Sequence, residues 1–204
     1  GFNTVDVDTF VSFMKGKTKL PKKSFLLTFD DGRKDSFYGA DPILSELGFK
    51  ALIFIAPGKS LTDLSFDSKY YLNIQEIKNM VKTGRWEIGS HAMQDTGGYI
   101  KIDKNEKLGN FLSNRMWISS LNRLEERNDY IKRLEYQFSE SKKQISNITK
   151  KENILFSYPF GDDGYQSINE KSAIFIIRQV ISKQYPYAFK QVLRPNNGFA
   201  ANSP

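Results

Sequence analysis

The alternation of short apolar runs with helix-patterned stretches restricts the fold of this chain more than any other feature. Residues 24–29 (SFLLTF) and Ala51–Ile55 (ALIFI) are apolar-rich runs of strand length, and 86–89 (WEIG) and 154–157 (ILFS) are shorter ones. Runs of this kind suit either strand or buried helix, but their brevity and the polar or glycine residues that close them favour strand. Helices fit between them. Residues 35–47 end at Gly48, a helix-terminating position. Asn73 and Glu76 have capping-box spacing, and Ile74, Ile77, Met80 and Val81 follow with helical periodicity before Gly84. Residues 130–148 predict a long amphipathic helix whose buried stripe is Ile131, Leu134, Phe138, Ile145 and Ile148. Residues 172–181 predict another. Strands alternating with helices imply a parallel sheet or barrel, in which a functional site sits beyond the C-terminal strand ends.

Composition narrows the function classes. A chain of 204 residues fits one domain, and 39% apolar with 26% charged residues is enough to bury a core. The 16 Phe and 10 Tyr make that core aromatic. The formal charge of +7 comes from scattered lysines among acids, with no Lys/Arg-rich block or nucleic-acid motif. A solvated lysine-rich surface is therefore expected, with no nucleic-acid partner. The absence of cysteine excludes disulfides and thiolate metal sites and leaves the compartment open. No apolar run approaches the length of a spanning helix, so no transmembrane segment is expected, and no targeting pattern opens the chain.

Three polar clusters follow three of the strand candidates: Asp30–Asp31–Gly32, Ser90–His91 and Tyr158–Pro159–Phe160–Gly161. Each sits where a parallel strand delivers residues to one face, so two carboxylates and the chain's single histidine are expected to converge there. Adjacent residues on an extended segment point to opposite sides and can take different roles. A neutral imidazole with carboxylates is a common shell for a hydrolytic metal ion, and a neighbouring carboxylate can accept a proton from activated water. Each cluster alone has a plainer reading: Asp-Asp-Gly as a turn, the histidine as a buried structural residue, and Tyr-Pro-Phe-Gly as a rigid loop. Their joint placement is what points to chemistry.

At these residues the chain resembles the polysaccharide deacetylase family, also called the NodB-homology or carbohydrate esterase 4 family. The match comprises Thr28-Phe29-Asp30-Asp31-Gly32, Gly89-Ser90-His91 and Phe156-Ser157-Tyr158-Pro159-Phe160-Gly161, and it extends over residues 25–199, with linking segments at 42–44, 50–55 and 84–88. The resemblance implies a distorted TIM-like (β/α)7 barrel and a single deacetylase domain over 1–204, either whole or a fragment of a longer protein. It implies a divalent metal, usually Zn2+, with Mn2+, Co2+ or Ni2+ as substitutes. Asp30 matches the family's general base, Asp31 its metal-binding Asp and His91 its first metal histidine. The backbone N–H of Phe160 matches the oxyanion donor, and Ser157, Tyr158, Pro159 and Gly161 match the groove lining. Ser157 stands where many members carry Arg, as in deacetylases of poly-N-acetylglucosamine. The implied partner is an N-acetylated polysaccharide, and the implied location is extracellular or at the cell envelope. Residues 96–124, with Tyr99, Phe111 and Trp117, read either as a lid or groove wall over a glycan or as a surface insertion packed by its own aromatics.

The chain departs from the family pattern in two places. The second metal histidine would fall four or five residues after His91, where Asp95 and Thr96 stand, and the late Leu-x-His is missing. Two functional classes follow. One is an active hydrolase with an Asp31–His91–Asp95 metal site. The other is a catalytically inactive carbohydrate-binding domain that kept the fold.

Overall fold

The computed structural model describes residues 1–192, so the end of the family resemblance, up to Phe199, lies outside the described residues, as does the end of the expected domain. The chain opens with β1 (Asn3–Thr4), α1 (Val7–Met14), β2 (Ser24–Phe25) and β3 (Thr28–Phe29). It continues through α2 (Lys34–Leu47), β4 (Ala51–Ile55), α3 (Pro57–Ser60), α4 (Ile74–Lys82) and β5 (Trp86–Ser90). Four short strands follow: β6 (Tyr99–Lys101), β7 (Leu108–Asn110), β8 (Trp117–Ile118) and β9 (Arg123–Leu124). Then come α5 (Arg127–Thr149), β10 (Leu155–Ser157), α6 (Ala173–Ile181) and β11 (Tyr187–Phe189).

Strands β11-β10-β5-β4-β3 form one parallel sheet in that order. It is the curled half of a (β/α) barrel, and β1 and β2 form a separate parallel pair. The strand expected over 24–29 is thus divided. Its first part pairs with β1 and its last part with β4, while the Leu27 carbonyl still accepts the Leu52 N–H at 2.8 Å. Between β5 and α5, where further strand–helix units would complete a barrel of seven, the chain folds into two antiparallel hairpins, β6–β7 and β8–β9.

The helix signals in the sequence act as expected. Asn73 accepts from the Gln75 and Glu76 N–H groups while Glu76 accepts from the Asn73 N–H, a complete capping box. Gly48 ends α2 in the left-handed conformation, at φ 64°. Helix α5 buries Leu134, Phe138 and Ile145 as predicted, with Ile131 and Ile148 half-buried at its margins. The same face also buries Tyr130, Gln137 and Ser141. Phe111 and Leu112 pack into the core beneath α5, where the Tyr130 hydroxyl donates to the Leu112 carbonyl at 2.6 Å. Burying this hydroxyl without a partner would be costly, so the bond fixes the hairpin region to the helix. No described helix is long and apolar enough to cross a membrane.

Candidate active site

Parallel register brings the three clusters to one edge. Phe29 pairs with Ile53, Ile55 pairs with Ser90, and Ser90 pairs with Phe156, so the residues that follow each strand emerge together. The His91 N–H donates to the Ile55 carbonyl at 2.8 Å, which carries the ladder one residue past β5. Gly32 closes the Asp-Asp turn at φ 64°, where a Cβ would stand 2.9 Å from the Ile55 side chain. Only glycine tolerates both that conformation and that contact.

His91 is almost completely buried, at 2% exposure. Its Nδ1 lies 2.9 Å from the Ser157 carbonyl oxygen. A carbonyl only accepts, so Nδ1 carries a proton and the other nitrogen, Nε2, is directed outward. Nε2 lies 3.4 Å from Asp31 Oδ1. In a neutral imidazole those two atoms are both acceptors, and the arrangement calls for a second proton or a cation between them. The imidazole also holds the Asp31 carboxyl below its ordinary range. Asp30 behaves oppositely. Burial raises it, Asp31 adds to the rise, and His91 and Ser157 act in the other direction.

The Asp31–His91 spacing suits two ligands of one divalent ion, whose bonds to O and N are about 2.0–2.2 Å. A third ligand is not brought to them. The described residues contain no group of three His, Cys, Asp or Glu side chains able to hold an ion, and residues 193–204 carry none of these types. Asp95, expected as that third ligand, is engaged elsewhere. Its Oδ1 accepts from Gln137 Nε2 at 2.8 Å, on α5. Gln137 Oε1 in turn accepts the Gln94 N–H at 3.0 Å, and Gln94 Nε2 donates to the His91 carbonyl at 2.9 Å. The loop after His91 is therefore fastened to α5, with Asp95 held by Gln137.

In the third cluster Ser157, Tyr158, Pro159 and Gly161 are buried, and the Ser157 hydroxyl acts on the Asp30 carboxyl. The Tyr158 N–H donates to Phe189 O at 2.9 Å, and burial pushes its phenol up to about 12. Phe160 is the exposed member and adopts a left-handed backbone, φ 59°. Asp31, Ala92, Gln94 and Phe160 make up half of the eight non-glycine residues with positive φ among the described residues. Such strain collects at functional sites, where surrounding contacts hold it.

Gln94 and Gln137 were not among the residues singled out from the sequence. Gln137 carried a usable signal, a polar side chain on the apolar stripe between Leu134 and Phe138. Tyr99, from the segment 96–124, meets this edge by stacking on Phe160, with ring centroids 5.0 Å apart. Phe111 belongs to the core and Trp117 is half-buried.

Comparison with known proteins bears on the family and the fold. The family model for polysaccharide deacetylase matches residues 17–175. The poly-beta-1,6-N-acetyl-D-glucosamine N-deacetylase of Staphylococcus aureus is 30% identical over 149 residues, 73% of this chain and 44% of that protein. The chain thus spans less than half the length of this curated relative. Among solved structures, a de-N-acetylase from Aggregatibacter actinomycetemcomitans superposes with a TM-score of 0.74 at 21% identity, covering 93% of this chain and 71% of the other. The BpsB deacetylase domain from Bordetella bronchiseptica gives 0.74 at 17% identity, covering 94% and 72%. These two likenesses establish the shared fold. With the family model spanning most of the chain and the strand-end motifs falling within it, this chain belongs to the polysaccharide deacetylase family.

Proposed function

We propose that this chain carries a hydrolytic site that removes N-acetyl groups from a poly-N-acetylglucosamine-type polysaccharide outside the cell or at its envelope. The observation that carries the reading is the meeting of Asp31 with His91, with Asp30 beside them, at the C-terminal ends of β3 and β5, in a chain of this family. The name of the Staphylococcus aureus relative supports the choice of glycan.

Asp31 and His91 would hold a divalent ion, with Zn2+ the first candidate and Mn2+, Co2+ or Ni2+ as substitutes. Bound there, the ion would supply Lewis-acid polarisation of the amide carbonyl and acidification of water. Asp30 accepts the proton of the attacking water, and its burial-raised affinity for protons suits a base working nearer neutral pH. The leaving amine then needs a proton. His91 uses Nδ1 on the Ser157 carbonyl and turns Nε2 toward Asp31, which leaves protonated Asp30 to return it. The Phe160 N–H is the candidate donor to the developing oxyanion.

The experiment is acetate release from β-1,6-linked N-acetylglucosamine oligomers. Activity should vanish with a chelator and return with added divalent ion. The two-residue ligand set also suits the second reading, a carbohydrate-binding domain without turnover. Glycan retained with no acetate released under any metal would establish that reading and overturn the first.

A further inference from the structure

We infer that Tyr99 and Phe160 together form a platform that stacks a sugar ring adjacent to the one being deacetylated. The inference rests on the proposed function and extends it to the binding of the polymer.

Tyr99 on β6 and Phe160 lean on each other with centroids 5.0 Å apart and planes inclined at 39°. Packing against each other hides only part of each ring, since Tyr99 is 53% exposed and Phe160 46%. Two partly exposed aromatic rings side by side offer a contiguous apolar face that a ligand can cover. Their place is specific. Phe160 belongs to the strand-end cluster that follows β10, so the pair stands beside the candidate site.

The surroundings are built to hold this pair. Gly98 lies beneath the Phe160 ring, and a Cβ there would approach Phe160 Cζ to 2.4 Å. The ring thus lies on bare backbone. The hairpin is tied down on several sides. The Phe111 N–H donates to the Gly98 carbonyl at 3.2 Å, Asn110 Nδ2 donates to Gln166 Oε1 at 3.0 Å, and Asn169 Nδ2 donates to the Ile102 carbonyl at 3.2 Å. A platform fixed in this way loses little conformational freedom on binding. Of the two alternatives for segment 96–124, a lid or groove wall over a glycan and a surface insertion packed by its own aromatics, this favours the first, as a fixed groove wall. The occupant it fits is a pyranose of an N-acetylglucosamine chain, which presents an apolar C–H face to the rings and hydroxyls to water. An all-polar ligand would leave the rings uncovered.

The test is calorimetric titration of β-1,6-linked N-acetylglucosamine monomer and tetramer in an Asp30→Asn background, which keeps the glycan intact. Tyr99→Ala should weaken tetramer binding about tenfold and leave the monomer's affinity in place, because the monomer does not reach the platform. Tyr99→Trp should retain tetramer affinity, since a larger ring still stacks. Tyr99 is exposed and outside the core, so these substitutions test binding and not folding. Equal tetramer affinity in the parent and Tyr99→Ala overturns the platform, and with acetate release by the Asp30 enzyme intact it leaves the deacetylase reading standing. Loss of monomer and tetramer affinity together also overturns it. No tetramer binding at all overturns it as well, and acetate release then decides whether the deacetylase reading falls too.

Discussion

The two ends of the parallel sheet treat charge differently. At the N-terminal end a cavity of about 330 Å³ is lined by Asp6, Lys50, Trp86, Glu87 and Glu152, among others. Its charges are mostly answered by protein. Asp6 pairs with Lys50 at 2.8 Å, Glu152 pairs with Lys142 at 2.7 Å, and Glu87 accepts the Val7 N–H at 2.7 Å. At the C-terminal end, among the described residues, no Lys or Arg forms an ion pair with Asp30 or Asp31. Asp30 is pushed up by burial, and Asp31 is lowered chiefly by the His91 imidazole, with Arg33 adding at longer range. The difference lies in what completes each set of charges: protein partners at the N-terminal end, and at the C-terminal end carboxylates left open to a ligand.

Substitutions at the two ends should separate function from stability, beginning with the largest effect. His91→Ala removes a buried candidate ligand and should lower acetate release by more than about 100-fold, since even groups that only orient a ligand cost 10–100-fold. Metal content measured on the same sample should fall with it. Retained metal and turnover would show that this end is no more reactive than the other.

Gln137→Leu should come next. It strips the acceptor from the Gln94 N–H and releases Asp95, costing about 1–3 kcal/mol in denaturant unfolding. Metal content should fall less than in His91→Ala. A rise in metal content would mean that the freed Asp95 completes the ion's shell.

The N-terminal end should show stability effects alone. Asp6 caps α1 through the Thr9 N–H at 2.8 Å. Burial works to raise it, but Lys50 and Thr9 outweigh burial and hold its carboxyl at about 2, below the ordinary 3.8. The ion-pair contribution is therefore complete above the ordinary value and disappears as pH falls through about 2. Asp6→Ala should cost about 1 kcal/mol near neutral pH, with turnover intact. Glu87 has the opposite sign. Burial raises it, so its charge costs stability at neutral pH and that cost is relieved as pH falls. Glu87→Gln should raise the melting temperature slightly at pH 7 and not at pH 4. A gain at both pH values would locate the effect elsewhere than in the charge.

Much of this contrast was legible before any coordinates. A strand delivering Asp30 and Asp31, another delivering His91, the Asn73–Glu76 box and the stripe on α5 are local signals, and local physics honours them. What escaped depends on distant partners. Asp95 sits four residues after His91 and reads as a ligand by spacing, yet its fate is set by Gln137, on a helix 42 residues away. β11 is three residues long, YAF, and too short for any period to show. The hairpins over 96–124 lack a clean alternation, because Phe111 enters the core while Tyr99 stays at the surface. The run 24–29 reads as one strand because sequence shows its extended character and not the two neighbours that divide it.

The central claim is that Asp30 moves the proton while Asp31 holds the ion. It is tested most directly by metal content and acetate release measured together on Asp30→Asn and Asp31→Asn. The account predicts that Asp30→Asn keeps its metal while turnover falls by about 10²–10⁴-fold, and that Asp31→Asn loses metal and turnover together. Asp30→Asn losing the metal while Asp31→Asn keeps it, or parental turnover in both, would contradict it.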